Sequence, residues 1–259
     1  MLTENHQSAE AFGIKQGDRG AHTSRTMMLA ELDTLFVASS IAACREDLRR
    51  LVVEDNVLGK KTGSNRRIAF KRLSELYGLD PKIPLYRVLR ALWSDIRSFP
   101  LLALLSAVAR DPLLRVTMPV ILTATPGQVI GKTDFEVVLH DGAGSRLNEA
   151  MIAKVARYTG STWTQSGHLS GHVKKVRARS VATPHTVAFA LLLGRVEGRH
   201  GAALFESDWM RLQDSSPQEV RLLAQRASSV GLIRYKSVGD IHEVDFDGLL
   251  TPEEVAKLP

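Results

Sequence analysis

Residues 160–185 read GSTWTQSGHLSGHVKKVRARSVATPH and contain no acid. Glycines, hydroxyls, one Trp and three His surround Lys174, Lys175, Arg177 and Arg179. Three chemistries use such residues: metal ligation, nucleophilic catalysis, and the holding of a polyanion. His168 and His172 are four apart, which would place them on one helix face. However, Leu169 stands where a zinc protease helix needs Glu, and Gly167 and Gly171 disfavour a helix there. Ser166 lacks the G-x-S-x-G surroundings of a strained nucleophile. Cys44, the single cysteine, lies in an amphipathic stretch and reads as packing. GKKTGS, from Gly59, resembles a phosphate loop, but Glu54 stands where the first glycine of that motif belongs. No catalytic group, metal or cofactor is therefore expected.

The polyanion reading draws on more residues. From Ala150 through Val196 there is no Asp or Glu, while Lys154, Arg157, Lys174, Lys175, Arg177, Arg179 and Arg195 fall in that window. Cations of one sign focus the field and pair with phosphate. The hydroxyls and Gln165 of STWTQSG offer phosphate hydrogen bonds. Trp163 is a candidate for stacking on a base or ribose, with a buried anchor as the alternative. A second cluster, Lys60, Lys61, Arg66, Arg67, Lys71 and Arg72, spans a Gly-bearing loop and a helix start. A third comprises Gln218, Arg221, Gln225 and Arg226, with Arg234 and Lys236 on a following hairpin. For each cluster the alternative is a solvated helix face.

The elements that must position these side chains are mostly helices. TMMLAELDTLFVASSI and REDLRRLVVEDNVL have helical spacing. After Gly59 a helix capped by Ser64 or Asn65 runs to Gly78. It turns Ile68, Leu73, Leu76 and Tyr77 inward, and Arg66, Arg67, Lys71 and Glu75 outward. PLYRVLRALWSDI and FPLLALLSAVAR are two more helices. Asp111 and Pro112 open another, which Pro119 kinks or ends. Phe135–Leu139 reads equally as a strand or a helix turn. SRLNEAMIAKVARYTGS is a helix capped by Ser145 and ending before Gly160.

Downstream, Thr183–Pro184 and Ser216–Pro217 are cap and first-position pairs, and GAALFESDWMRLQD is a shorter helix or helix pair. LIRYKSVGDIHEVDF alternates about Val238–Gly239–Asp240 as a hairpin. Three helices followed by a hairpin is winged-helix order.

The fold class expected is thus mainly α: an N-terminal helical bundle with a C-terminal winged-helix-like unit of three helices plus a β-hairpin. The chain has 259 residues, 44% hydrophobic and 24% charged, enough for one large domain or two ordinary ones. We expect a disordered tail over residues 1–25, a helical domain over 26–143, and a second domain over 144–259. One cysteine excludes an intrachain disulfide. The apolar run Phe99–Ala109 is too short to span a bilayer, and the polar N-terminus lacks the apolar core of a signal peptide, so a cytoplasmic protein is expected. The net charge of +6 favours an anionic partner.

Three segments, NVLGKKTGSNRRIAFKRLSELYGL, LLALLSAVARDPLLRVTMPVIL and LNEAMIAKVARYTGS, resemble the BrxA family of BREX phage-defence systems. The resemblance spans roughly residues 30 to 160. It implies a helical protein, similar to the NusB-type RNA-binding fold with winged-helix character, that binds double-stranded DNA. Lys60, Lys61, Ser64, Arg66 and Arg67 carry that implication. The last hundred or so residues have no counterpart in the family. The expected function is non-enzymatic binding of duplex DNA, mainly through phosphates, as a defence accessory. The alternatives are an adaptor that meets other defence-system proteins and a NusB-like RNA-binding protein.

Overall fold

The computed structural model describes residues 8–143 and 147–259. It is mainly helical, with a β-hairpin near the C-terminus. The N-terminal bundle comprises α1 (Leu29–Ala38), α2 (Arg45–Val53), α3 (Gly63–Tyr77), α4 (Pro84–Leu92), α5 (Phe99–Arg110), α6 (Pro112–Val116) and α7 (Met118–Thr123). Then follow β1 (Val129–Ile130), α8 (Lys132–Ala143), α9 (Glu149–Gln165), β2 (Leu169–Ser170) and β3 (Lys175–Arg177). The C-terminal unit comprises α10 (Pro184–Val196), α11 (Ala202–Phe205), α12 (Asp208–Arg211), α13 (Pro217–Ser229), β4 (Arg234–Val238), β5 (Ile241–Asp245) and α14 (Pro252–Val255). Among the described residues no helix is long and apolar enough to cross a membrane.

Helix α5 is the axis of the fold. Every residue from Leu101 to Arg110 is buried, because its run of Leu, Ala and Val leaves no polar face. Each fully buried Leu contributes about 1.5–3 kcal/mol of hydrophobic stabilisation. Around α5 pack α1, α3, α4 and α10. Helices α8 and α9, on either side of the expected division at residue 143, pack on each other. The buried side chains from both halves form a single cluster.

The expected disordered tail is corrected over residues 8–25. Ala9, Phe12, Ile14, Ala21 and His22 are all buried. The segment is pinned by main-chain and side-chain bonds: Lys15 N donates to Ala109 O, Arg110 to Gly13 O, and Arg115 to Lys15 O. His22 is fully enclosed. Its Nδ1 lies 2.8 Å from Asp111 Oδ2 and its Nε2 lies 2.8 Å from Thr162 Oγ1. Gly20 is required beside this link, since a Cβ there would stand 1.8 Å from Asp111 Oδ1. The expected disorder of residues 1–7 falls outside the described residues.

Local signals decide several helix ends. Asp111 caps α6 by accepting from the Leu113 and Leu114 amides, and the helical path breaks at Thr117, ahead of Pro119. In α3 the cap is Thr62, which accepts from Asn65 N, rather than Ser64 or Asn65; Gly78 ends the helix at φ +89°. Ile68 points out, 40% exposed, because Ala69, Phe70 and Leu73 fill the inner face. The ambiguous Phe135–Leu139 lies in α8, with Phe135 and Leu139 four apart on its buried side.

Helix α9 starts from Asn148, whose side chain accepts from Met151 N; Ser145 lies outside the described residues. It does not stop at Gly160 but runs to Gln165. The helix passes through this glycine against Phe135 and Lys175, whose carbons would meet a Cβ there at ordinary contact distances of 3.4 and 3.5 Å.

A three-stranded antiparallel sheet of order β1–β3–β2 was not foreseen. Its strands are only two or three residues long, below the reach of alternation patterns. The C-terminal unit does follow winged-helix order. Thr183 and Ser216 form capping boxes ahead of Pro184 and Pro217. Helix α13 packs on α10 and β4, and β4 pairs with β5 from Arg234↔Asp245 to Val238↔Ile241.

Candidate nucleic-acid interface

The loop between β2 and β3 presents Lys174 to solvent. Lys175 is half-buried and its Nζ donates to Thr164 Oγ1 at 2.8 Å. Burial pushes its pKa down.

Arg177 does not face solvent. It is 6% exposed, and its guanidinium forms a two-pronged pair with Asp214, at 2.9 and 2.5 Å. It also donates to the carbonyls of Ile121, His168 and Ala178. The planar fork of Arg suits such a crossing of strand, turn and loop. Asp214 takes a left-handed conformation (φ +51°) just before α13, and it also accepts from Ser180 N at 2.9 Å. Burial works to raise the Asp214 carboxyl. Hydrogen bonds from Arg177 and from the Ser180 amide, with the Arg177 charge, outweigh that and hold it below its ordinary value. Arg177 is thus a clamp that fixes β3 to the start of α13, and its assignment as a phosphate contact is corrected.

Trp163 is also corrected. It is fully buried and its Nε1 donates to Thr117 Oγ1 at 2.9 Å, so no base can stack on it. Trp163→Phe is expected to cost about 1–2 kcal/mol from the lost hydrogen bond and volume, while leaving nucleic-acid affinity unchanged. Urea denaturation and anisotropy together check this. Gln165 stays at the surface, donating to Thr26 Oγ1 at 3.2 Å.

On α13, Gln218, Arg221, Leu222 and Gln225 share the outer face, three and four apart, with Arg226 beside them; all are exposed. Val220, Ala224 and Ala227 hold the inner face. The loop and this helix are brought together. Glu219, in the first turn of α13, is held below the usual carboxylate value by hydrogen bonds from Ser216 and by the Arg179 charge. Exposed Arg179 therefore extends the cationic surface from β3 to the helix start. On the hairpin, Lys236 is exposed, whereas Arg234 is paired with Asp245 and Asp247.

The α3 cluster divides. Lys60 pairs with Glu31 at 3.0 Å, Arg72 pairs with Glu75 at 2.7 Å, and half-buried Arg66 donates to the Lys60 and Val53 carbonyls. Lys61, Ser64, Arg67 and Lys71 are exposed. Among the described residues, the cations Lys61, Arg67 and Lys71 form no ion pair.

Sequence reasoning missed two buried imidazole links, one hydroxyl–imidazole–carboxylate and one hydroxyl–imidazole–carbonyl. One is Thr162–His22–Asp111. In it burial would raise the Asp111 carboxyl, but His22 and the amides of His22 and Leu114 hold it lower. The other places Ser166 Oγ 2.9 Å from His168 Nδ1, with His168 Nε2 2.9 Å from Leu212 O. Thr162, His22 and His168 are 0% exposed, so both links act as internal struts. His168 and His172, once considered as a metal pair, flank β2; the first is buried and the second exposed.

No protein-family model matches the sequence, and no curated protein matches it.

Proposed function

We propose that the protein binds nucleic acid, with duplex DNA as the preferred form, through phosphate contacts from the winged-helix-like unit and the β2–β3 loop. The observation that carries this reading is the run of exposed cations that form no ion pair within 4 Å among the described residues: Lys174, Arg179, Arg221, Arg226 and Lys236, of which Arg179 lies near the Glu219 carboxylate. They surround a helix whose outer face is polar apart from Leu222. In winged-helix order that helix is the one that enters a major groove. The resemblance to the BrxA family supports a place in a BREX-type phage-defence system, acting in the cytoplasm without cofactor or metal.

Charge reversal of Lys174, Arg179 and Arg221 together is the direct test. Fluorescence anisotropy with random duplex DNA, single-stranded DNA and duplex RNA is measured over a salt series. Wild-type protein is expected to bind duplex DNA at micromolar affinity or tighter, with a steep salt slope. The variant should flatten that slope by about three units, roughly one per lost phosphate contact. Equal affinity of wild type and variant would overturn the assignment. Stronger binding to duplex RNA would turn the reading toward a NusB-like role.

One observation favours an adaptor as the second reading. Val238 and Ile241, at the hairpin tip, are 80% and 75% exposed. Paired apolar side chains of that kind suit a protein partner. Absence of binding to all three nucleic acids at low salt would favour it.

A further inference from the structure

A recessed cleft of about 560 Å³ lies between the N-terminal segment, α3 and the end of α5. Lys15, Arg19, Lys71, Arg72 and Arg110 line it, against the acids Asp18 and Glu75. These cations come from chain positions far apart and meet only because the N-terminal segment docks. The excess is therefore a product of the tertiary fold, unlike a run along one helix face.

The cleft has a fixed floor. Arg110, 6% exposed, donates to the carbonyls of Gly13, Glu75 and Ser74 at 2.6, 3.3 and 3.5 Å. These neutral acceptors position its guanidinium without cancelling its charge. Burial pushes its pKa down to about 10, still cationic at neutral pH. Half-buried Lys15 forms no ion pair among the described residues; burial and the nearby Arg110 charge push its pKa down, and the Glu75 and Asp111 charges offset this only in part. Arg72 is already matched by Glu75. Arg19 and Lys71 stand at the mouth, both exposed. A partly desolvated cation beside another cation is costly unless an anion joins them.

We propose that this cleft is a binding site for a small oligophosphate, the pyrophosphate or triphosphate group of a nucleotide-sized molecule. Among the described residues that line it, five cations against two acids leave an excess of three positive charges. One orthophosphate would match only part of it. The volume is that of a nucleotide-sized site, within the usual range of about 300–1,000 Å³. Duplex DNA presents its phosphates on a convex backbone and cannot reach the Arg110 floor. The site is thus independent of the α13 surface.

Isothermal titration with sodium pyrophosphate, sodium tripolyphosphate, orthophosphate and citrate tests the proposal on the full chain. Pyrophosphate and tripolyphosphate are expected to bind at least about tenfold more tightly than orthophosphate or citrate. Lys71→Met, at an exposed position that leaves the fold intact, should weaken pyrophosphate about tenfold, and Lys15→Met by more. Lys174→Glu should leave pyrophosphate binding unchanged while weakening DNA, which separates this site from the proposed nucleic-acid surface. No heat of binding with pyrophosphate, equal binding of citrate, or affinity unaltered in Lys71→Met would overturn the proposal.

Discussion

Arg177→Met is expected to destabilise the protein by about 3–5 kcal/mol, the largest single-residue effect in the basic window. Removing the guanidinium leaves Asp214 largely buried without its paired charge, and strips donors from three main-chain carbonyls. The cost of breaking such a pair exceeds the net worth of the intact one, because the orphaned carboxylate stays desolvated. Lys174→Glu, three residues away and fully exposed, is expected to change stability by no more than about 0.5 kcal/mol. Urea midpoints for the two variants separate a clamp from a surface contact. Equal midpoints would refute the clamp. Arg177→Met should also lose nucleic-acid binding only as far as it unfolds, since its side chain does not reach solvent.

The second large effect is a loss of stability in mild acid, centred on His168. Burial pushes its pKa down to about 4, and the Asp214 charge offsets this only in part. The folded ring therefore stays neutral at a pH where the unfolded ring, titrating near 6.5, takes up a proton. The unfolded state binds more protons between these values, so stability rises with pH across the window and falls as pH drops from about 6.5 to about 4. A shift of this size corresponds to roughly 3 kcal/mol. Asp214 is held below its ordinary value, so its own contribution is lost only at lower pH. Urea denaturation from pH 7 to pH 4 should show the slope, and His168→Gln should flatten it. A wild-type curve with no slope in that window would show that His168 protonates without penalty.

The sequence made the helices legible where a cap stood beside a proline. Thr183–Pro184, Ser216–Pro217 and Asp111–Pro112 each open a helix, because cap chemistry is local and needs only three or four residues. The β4–β5 hairpin was legible for the same reason: its turn at Gly239 and Asp240 sits between alternating segments.

The clamp was not legible. Arg177 reads as a free cation within an acid-free window, yet its partner, Asp214, lies 37 residues downstream. Charge patterning along the chain cannot see such a pair. Trp163 faced the same limit, since its donor meets Thr117 across 46 residues. The N-terminal segment has no periodicity to reveal its docking; its burial comes from scattered apolar side chains and one histidine. Of the candidate surface, Lys61, Arg67, Lys71, Lys174, Arg179, Arg221 and Arg226 stand in solvent as their sequence context suggested. That part was legible because solvation of a charge is the default that burial must overcome.

The His22 strut has a consequence for biosynthesis. Its two partners lie 89 and 140 residues further along the chain. A ribosome adding about 5–20 residues per second makes Thr162 on the order of ten seconds after His22. Throughout that interval Ala21, His22 and Met27 have no α9 to complete their enclosure. The segment around His22 is thus locked in place only after α9 has been made, and until then the nascent chain carries an apolar stretch that folding chaperones are suited to shield.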